Sequence, residues 1–126
     1  MSTDEKPDIQ IIANLVVVNQ DGEVLLTQYN PAVDRWWLPG QDVAPYTHPD
    51  ETAQAIVESM GVQASSTDFR RVQSFRGRRG WHLAFDYLVR ATGSPNEPAQ
   101  WFDVASLPPT MHGDWERAVL GDLLAA

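Results

Sequence analysis

The chain has no cysteine in its 126 residues, so neither a disulfide framework nor a thiolate metal site is open to it. No apolar run approaches the length of a membrane span, and Met1–Lys6 is polar and acidic rather than a signal peptide. Basic residues are scarce, nine Lys and Arg against seventeen Asp and Glu, for a net charge of −8. That balance argues against nucleic acid or an anionic membrane surface as a partner. Internal repeats and low-complexity tracts are absent too. These exclusions leave a soluble protein, expected in the cytoplasm and large enough to bury a core without staples. Residues 1–8 read as a flexible tail and 9–126 as one domain.

The stretch from Gly40 to Val62, GQDVAPYTHPDETAQAIVESMGV, organises the rest. It spells a glycine turn, a loop, a capped helix and a glycine stop. Thr47 is the expected N-cap, with Asp50 as a weak capping-box acid. Pro49 falls in the first turn, where its missing N–H matters little, and Gly61 closes the helix. Ala53, Ile56, Val57 and Met60 recur at helical spacing and predict one buried face. Asp50, Glu51, Gln54, Ala55, Glu58 and Ser59 occupy the opposite arc.

Ile9–Val18 is a near-continuous apolar run that predicts a strand buried on both faces. Asn19-Gln20-Asp21-Gly22 is turn chemistry, so Glu23–Tyr29 returns as the second arm of a hairpin. Asn30-Pro31 breaks it. After the helix, Gln63–Asp68 reads as loop, Phe69–Phe75 as a strand candidate and Trp81–Ala91 as a clear strand. Along the latter, Trp81, Leu83, Phe85, Tyr87 and Val89 share one face, and His82, Ala84, Asp86, Leu88 and Arg90 the other. Gln100–Val104 suggests a short edge strand. Asp114–Ala125 suggests a closing helix with Trp115, Ala118, Val119 and Leu123 as its stripe. Strands on either side of a central helix, with a second helix at the end, point to an α/β domain layered on a mixed sheet.

The same stretch resembles the Nudix box, which runs from a glycine through a glutamate to Arg-Glu-aliphatic-x-Glu-Glu-x-Gly-aliphatic. Without a gap, Gly40 takes the first glycine, Ile56 the aliphatic, Glu58 the first of the paired glutamates, and Gly61-Val62 the final pair. The approach Trp36-Trp37-Leu38-Pro39-Gly40 matches as well, and Trp101-Phe102-Asp103 with Leu107-Pro108 is similar to the family's tail. The resemblance implies a Nudix-like α/β/α sandwich and a hydrolase of nucleoside diphosphates linked to another group, using Mg²⁺ or Mn²⁺. It also makes a homodimer possible. The polar positions depart from the pattern: Tyr46 stands at the early glutamate, Gln54-Ala55 at Arg-Glu, and Ser59 at the second paired glutamate. Hydrolysis is therefore expected to be weak or absent.

Glu58 is the candidate catalytic residue and metal ligand, and Glu51 the candidate second ligand from the turn below; the alternative is that both are solvated helix acids. Asp86 and Asp103 are possible further carboxylates. Arg70, Arg71, Arg76, Arg78 and Arg79 reverse the charge locally, and Phe75–Gly80 reads as a glycine-flanked hairpin loop. Arg76, Arg78 and Arg79 are candidate diphosphate binders, because guanidinium forks hold phosphate bidentately; surface ion pairs are the alternative. Trp37 is the candidate base contact, whereas the family-matched Trp36 reads as structural. The partner so implied is a nucleotide-type small molecule, turned over or merely bound. A domain that keeps the fold for a protein partner is the third possibility.

Overall fold

The computed structural model describes residues 9–28, 32, 34–77, 79–108, 119–121 and 124. Strand β1, Ile9–Val18, ends at a turn organised by Asn19, whose side-chain oxygen accepts the N–H groups of Asp21 and Glu23, each at 3.0 Å. Strand β2, Glu23–Leu26, therefore returns antiparallel, with Val18 opposite Val24. There follow β3 (Gly40–Asp42), α1 (Pro49–Ser59), β4 (Gln63–Gly77), β5 (Gly80–Thr92), β6 (Gln100–Asp103) and a 3₁₀ turn over Val104–Ser106. Residues 119–121 and 124 are helical.

The sheet is mixed, in the order β4-β5-β1-β2-β6, with β3 also paired to β1. β1 and β5 run parallel from Ile9 opposite Trp81 to Val18 opposite Arg90. One edge of β1 serves two partners: Ile12–Asn14 pair with β3, and Val18 pairs with β2. Alternation along these strands sends side chains to two cores. On one face, Ala13, Leu15, Val17, Tyr87 and Val89 pack with Ala53, Ile56, Val57 and Met60 of α1. On the other, Val16, Val24, Leu26, Trp36, Leu38 and Leu88 pack with Val119 and Leu120. A sheet clad by helix on both faces is the α/β/α sandwich expected from the sequence.

Four expectations need correction. The helix N-cap is His48, not Thr47; the His48 ring nitrogen accepts the Asp50 N–H at 3.1 Å. Pro49 decides this, because it bars its predecessor from helical torsions and leaves His48 extended at ψ 137°, the N-cap geometry. Gln63–Asp68 is not a loop but the first part of β4, paired antiparallel with β5 down to Gly77 opposite Gly80. Its polarity misleads because β4 is an edge strand and most of its side chains face water. The third concerns β1, which is buried on both faces only from Ala13 onward, since Ile9 and Ile11 are exposed. β2 ends at Leu26, short of the expected Tyr29, which lies outside the described residues, as do Asn30-Pro31 and the 1–8 tail. Of the predicted closing stripe, Val119 is buried, Leu120 joins it, and Trp115, Ala118 and Leu123 lie outside the described residues.

Candidate functional site

The approach to α1 is built on backbone bonds. Thr27 and Trp37 exchange N–H···O bonds of 3.0 and 2.9 Å, and the Leu15 N–H donates to the Pro39 carbonyl at 2.8 Å. Gly40 then enters β3 opposite Asn14. Trp36 is buried and meets Phe102 edge-on, with centroids 4.7 Å apart, so it is a core residue, while Trp37 is half-buried. Tyr46 adopts φ 64° in the turn before the helix and is fully exposed.

The helix register is the one its periodicity requires. Ala53, Ile56, Val57 and Met60 are buried, and Asp50, Glu51, Gln54, Ala55, Glu58 and Ser59 all face solvent. Glu51 and Glu58 thus share one arc, two turns apart. The Ser59 hydroxyl donates back to the Ile56 carbonyl at 2.7 Å. Beyond it Gly61 takes φ +79°, and a Cβ there would meet the Asn96 side chain at 2.8 Å. Asn96 holds the helix end by donating its backbone N–H to Met60 and its amide to the Ser59 carbonyl.

Asp86, a possible carboxylate from outside the helix, is turned to the opposite face of the sheet. It sits between Ala84 and Leu88 in the alternation and is wholly buried. Arg71 Nε donates to it at 3.0 Å, Gln73 at 2.7 Å and Asn14 at 3.3 Å. Burial raises its carboxyl above the usual range, against the opposing pull of Arg71, Asn14 and Gln73. Asp103 is exposed and caps the 3₁₀ turn by accepting the Ala105 N–H at 2.9 Å.

The arginine hairpin forms as its glycines suggest, with Gly77 paired to Gly80. A Cβ at Gly77 would meet the His82 ring at 2.6 Å. His82 is buried there, stacked on Phe75 at 5.1 Å. Arg79 closes a fork on Asp42 of β3, at 2.9 and 2.8 Å. That hydrogen bond, with the guanidinium charge, holds the Asp42 carboxyl below its usual range. Arg76 is exposed opposite Trp81, on the α1 side of the sheet. Arg78 lies outside the described residues.

Glu51 and Glu58 share the exposed arc of α1 two turns apart, and Arg76 and Arg79 lie at the β4–β5 hairpin. Glu58 precedes the start of β4, whereas Arg76 lies near its end, next to the turn into β5. The nearer feature is a shallow hollow of about 350 Å³ between α1 and the start of β4, lined by Asp50, Gln54, Ala64, Ser65, Ser66 and Thr67. Ser66 Oγ is buried with no hydrogen-bond partner among the described residues. Sequence reasoning missed this hollow and the Asp86 cluster. A charged residue at an inward register of β5 was the available signal for the second.

A divalent cation of the kind the resemblance implies needs several oxygen ligands. The exposed arc of α1 offers Glu58 and Glu51 two turns apart, and no group of three or more His, Asp or Glu side chains is placed to hold a metal among the described residues. These residues do not fit such an ion by themselves.

No family model and no curated protein matches the sequence. Solved structures do. The chain superposes on a MutT Nudix hydrolase from Burkholderia pseudomallei with a TM-score of 0.72 at 21% identity, covering 90% of this chain and 97% of that one. It superposes on a MutT protein from Bacillus halodurans at 0.75 and 16% identity, covering 93% and 83%. With the dihydroneopterin triphosphate pyrophosphohydrolase of E. coli the figures are 0.71 and 12%, covering 92% and 96%. The chain has the Nudix fold. No helix among the described residues is long and apolar enough to cross a membrane.

Proposed function

We propose that this Nudix-fold domain binds a nucleotide-type ligand through its diphosphate and hydrolyses it weakly or not at all. The observation that carries the reading is the exposed arc of α1, where Gln54, Ala55, Glu58 and Ser59 supply one carboxylate at the positions that the Nudix pattern fills with three. With Asp86 on the far face of the sheet, the other carboxylates of α1 are Glu51 and Asp50, and Asp50 accepts the Tyr87 hydroxyl. Any Mg²⁺ or Mn²⁺ would depend on the ligand's own phosphates for most of its oxygens. In this reading the diphosphate is held by Arg78 and Arg79, with Arg76 at the hairpin base, and Trp37 offers a flat face to a base. Arg79 already grips an oxyanion in the two-pronged geometry a phosphate would need, since it holds both oxygens of Asp42.

The test is thermal unfolding with a panel of nucleoside diphosphate derivatives, with and without Mg²⁺ or Mn²⁺, beside a phosphate-release assay. A ligand at a hundred times its Kd stabilises by about 2.7 kcal/mol, which is readily seen. The expected result is stabilisation that needs no metal, is lost in Arg79→Ala, and comes with background phosphate release. Brisk metal-dependent release that disappears in Glu58→Gln overturns the reading in favour of a Nudix hydrolase with Glu58 and Glu51 as ligands.

A further inference from the structure

We infer that the hollow between α1 and the start of β4 is a binding site for a neutral, polyhydroxylated molecule of monosaccharide size. One wall is made by an irregularity in the sheet. Ala64 stands opposite Ala91 and Ser66 opposite Arg90, so Ser65 is one residue more than β5 can pair. Such a bulge bends the strand and re-aims the side chains beside it. The Ser65 hydroxyl donates to the Arg90 carbonyl at 3.2 Å, which pins the bulge. The first two turns of α1 supply the other wall with Asp50 and Gln54. The space between is about 350 Å³, within the usual range of small-molecule pockets.

A second observation points to an occupant. Ser66 Oγ is buried and has no hydrogen-bond partner among the described residues. A buried hydroxyl left so is destabilising, and native structures seldom keep one without a partner. Ser66 lines the hollow, so rotation about its single χ angle brings the hydroxyl to an occupant. Asp50 is ready to accept as well. One carboxylate oxygen takes the Tyr87 hydroxyl, which fixes the side chain. The other lies 3.7 Å from His48 Nδ1, but that nitrogen already accepts the Asp50 N–H and has no proton to give.

The class of ligand follows from what these groups offer. An amide and hydroxyls both donate and accept, and a carboxylate accepts, so the matching partner is a set of hydroxyl groups. Asp50 lines the hollow, Glu51 and Asp68 adjoin its residues in sequence, and no basic side chain lines it among the described residues. A phosphate or carboxylate is therefore repelled. One carboxylate is too few for a divalent cation. No aromatic face lines the hollow among the described residues, so a nucleobase has nothing to stack on. The site is separate from the hairpin arginines and does not rest on the nucleotide reading.

The experiment titrates the isotope-labelled full chain with glucose, ribose and myo-inositol, each to about 50 mM, and follows the backbone amides by NMR. The expected result is a saturable shift centred on Gln54, Ser65, Ser66 and Thr67 with at least one of the three, and none there with a phosphate ester of glucose. Gln54→Ala is expected to weaken the binding about tenfold. Ser66→Ala is expected to weaken it by a similar factor, yet to leave the ligand-free protein as stable as before or more so, because it deletes a hydroxyl that lacks a partner. Shifts that never saturate, or that lie outside the hollow, overturn the inference, as does binding that survives in both variants. Binding of the phosphate ester as tight as that of the sugar overturns the neutral class. A lower melting temperature for ligand-free Ser66→Ala overturns the role given to its hydroxyl.

Discussion

The Arg71 guanidinium lies 3.0 Å from a carboxylate of Asp86 that no water reaches, on the sheet face away from α1. Removing one partner of such a pair strands a buried charge, and the loss usually runs to about 3–5 kcal/mol. Because Arg71 is about a third exposed and Gln73 and Asn14 also donate to Asp86, Arg71→Ala is expected to cost less, about 2–3 kcal/mol. The pH dependence has a definite sign. Asp86 already titrates above its unfolded value, so stability falls as pH rises through that window. In Arg71→Ala the upward shift grows, and urea melts should show the variant losing further stability from about pH 4 upward.

The Asp42–Arg79 fork acts in the opposite direction. Asp42 is held below its unfolded value, so its contribution is complete above that value and is lost as pH falls through the folded one. Thermal melts between pH 6 and 2.5 should show a steeper acid-side loss in the natural protein than in Arg79→Ala. The effect is expected to be modest, because both side chains are at least half exposed. Superimposable acid limbs in the two proteins would contradict this.

On the alkaline side the group to watch is Tyr87. Burial, and then the Asp50 carboxylate that accepts its hydroxyl, raise it well above the ordinary phenol range. The folded state keeps that proton where the unfolded state has lost it, so stability falls as pH rises above about 10. Tyr87→Phe removes this alkaline loss. In a difference absorbance titration against the variant, the Tyr87 signal should appear only with the unfolding transition; ionisation in the folded protein would refute the assignment.

The two faces of α1 should respond differently to truncation. Ile56→Ala empties space between α1 and the sheet and is expected to cost about 2–5 kcal/mol. Gln54→Ala, on the solvent side, should stay within about 0.5 kcal/mol of the natural protein. Denaturant midpoints that shift equally in both would show that the burial of the two arcs has been misassigned.

Restoring the carboxylates is the sharpest probe of the α1 surface. Ala55→Glu with Ser59→Glu, and Gln54→Arg to orient the first, adds two carboxylates beside Glu58. Calorimetric titration with Mn²⁺ should show tighter binding than in the natural protein, and like charges on one helix face should lower stability by a few tenths of a kcal/mol. Unchanged Mn²⁺ affinity would mean that these positions do not converge on a common ion.

Local structure could be read from the chain wherever one residue's own chemistry sets the backbone. Asn19 and Gly22 place the first hairpin, Gly61 ends α1 through its positive φ, and the periodicity of Ala53, Ile56, Val57 and Met60 orients the helix. The Nudix fold was legible from spacing along one segment, Gly40 to Val62. Where the edge of the sheet faces water, periodicity fades, and Gln63–Asp68 hid a strand for that reason. What meets across the chain was settled by the packing of the sheet and helices. It turned Asp86 away from Glu58, set Arg79 on Asp42, and left Ile9, Val72 and Trp81 bare, because α1 is shorter than the strands it packs on. Contacts between residues far apart in sequence depend on strand order and register, and no local pattern encodes either.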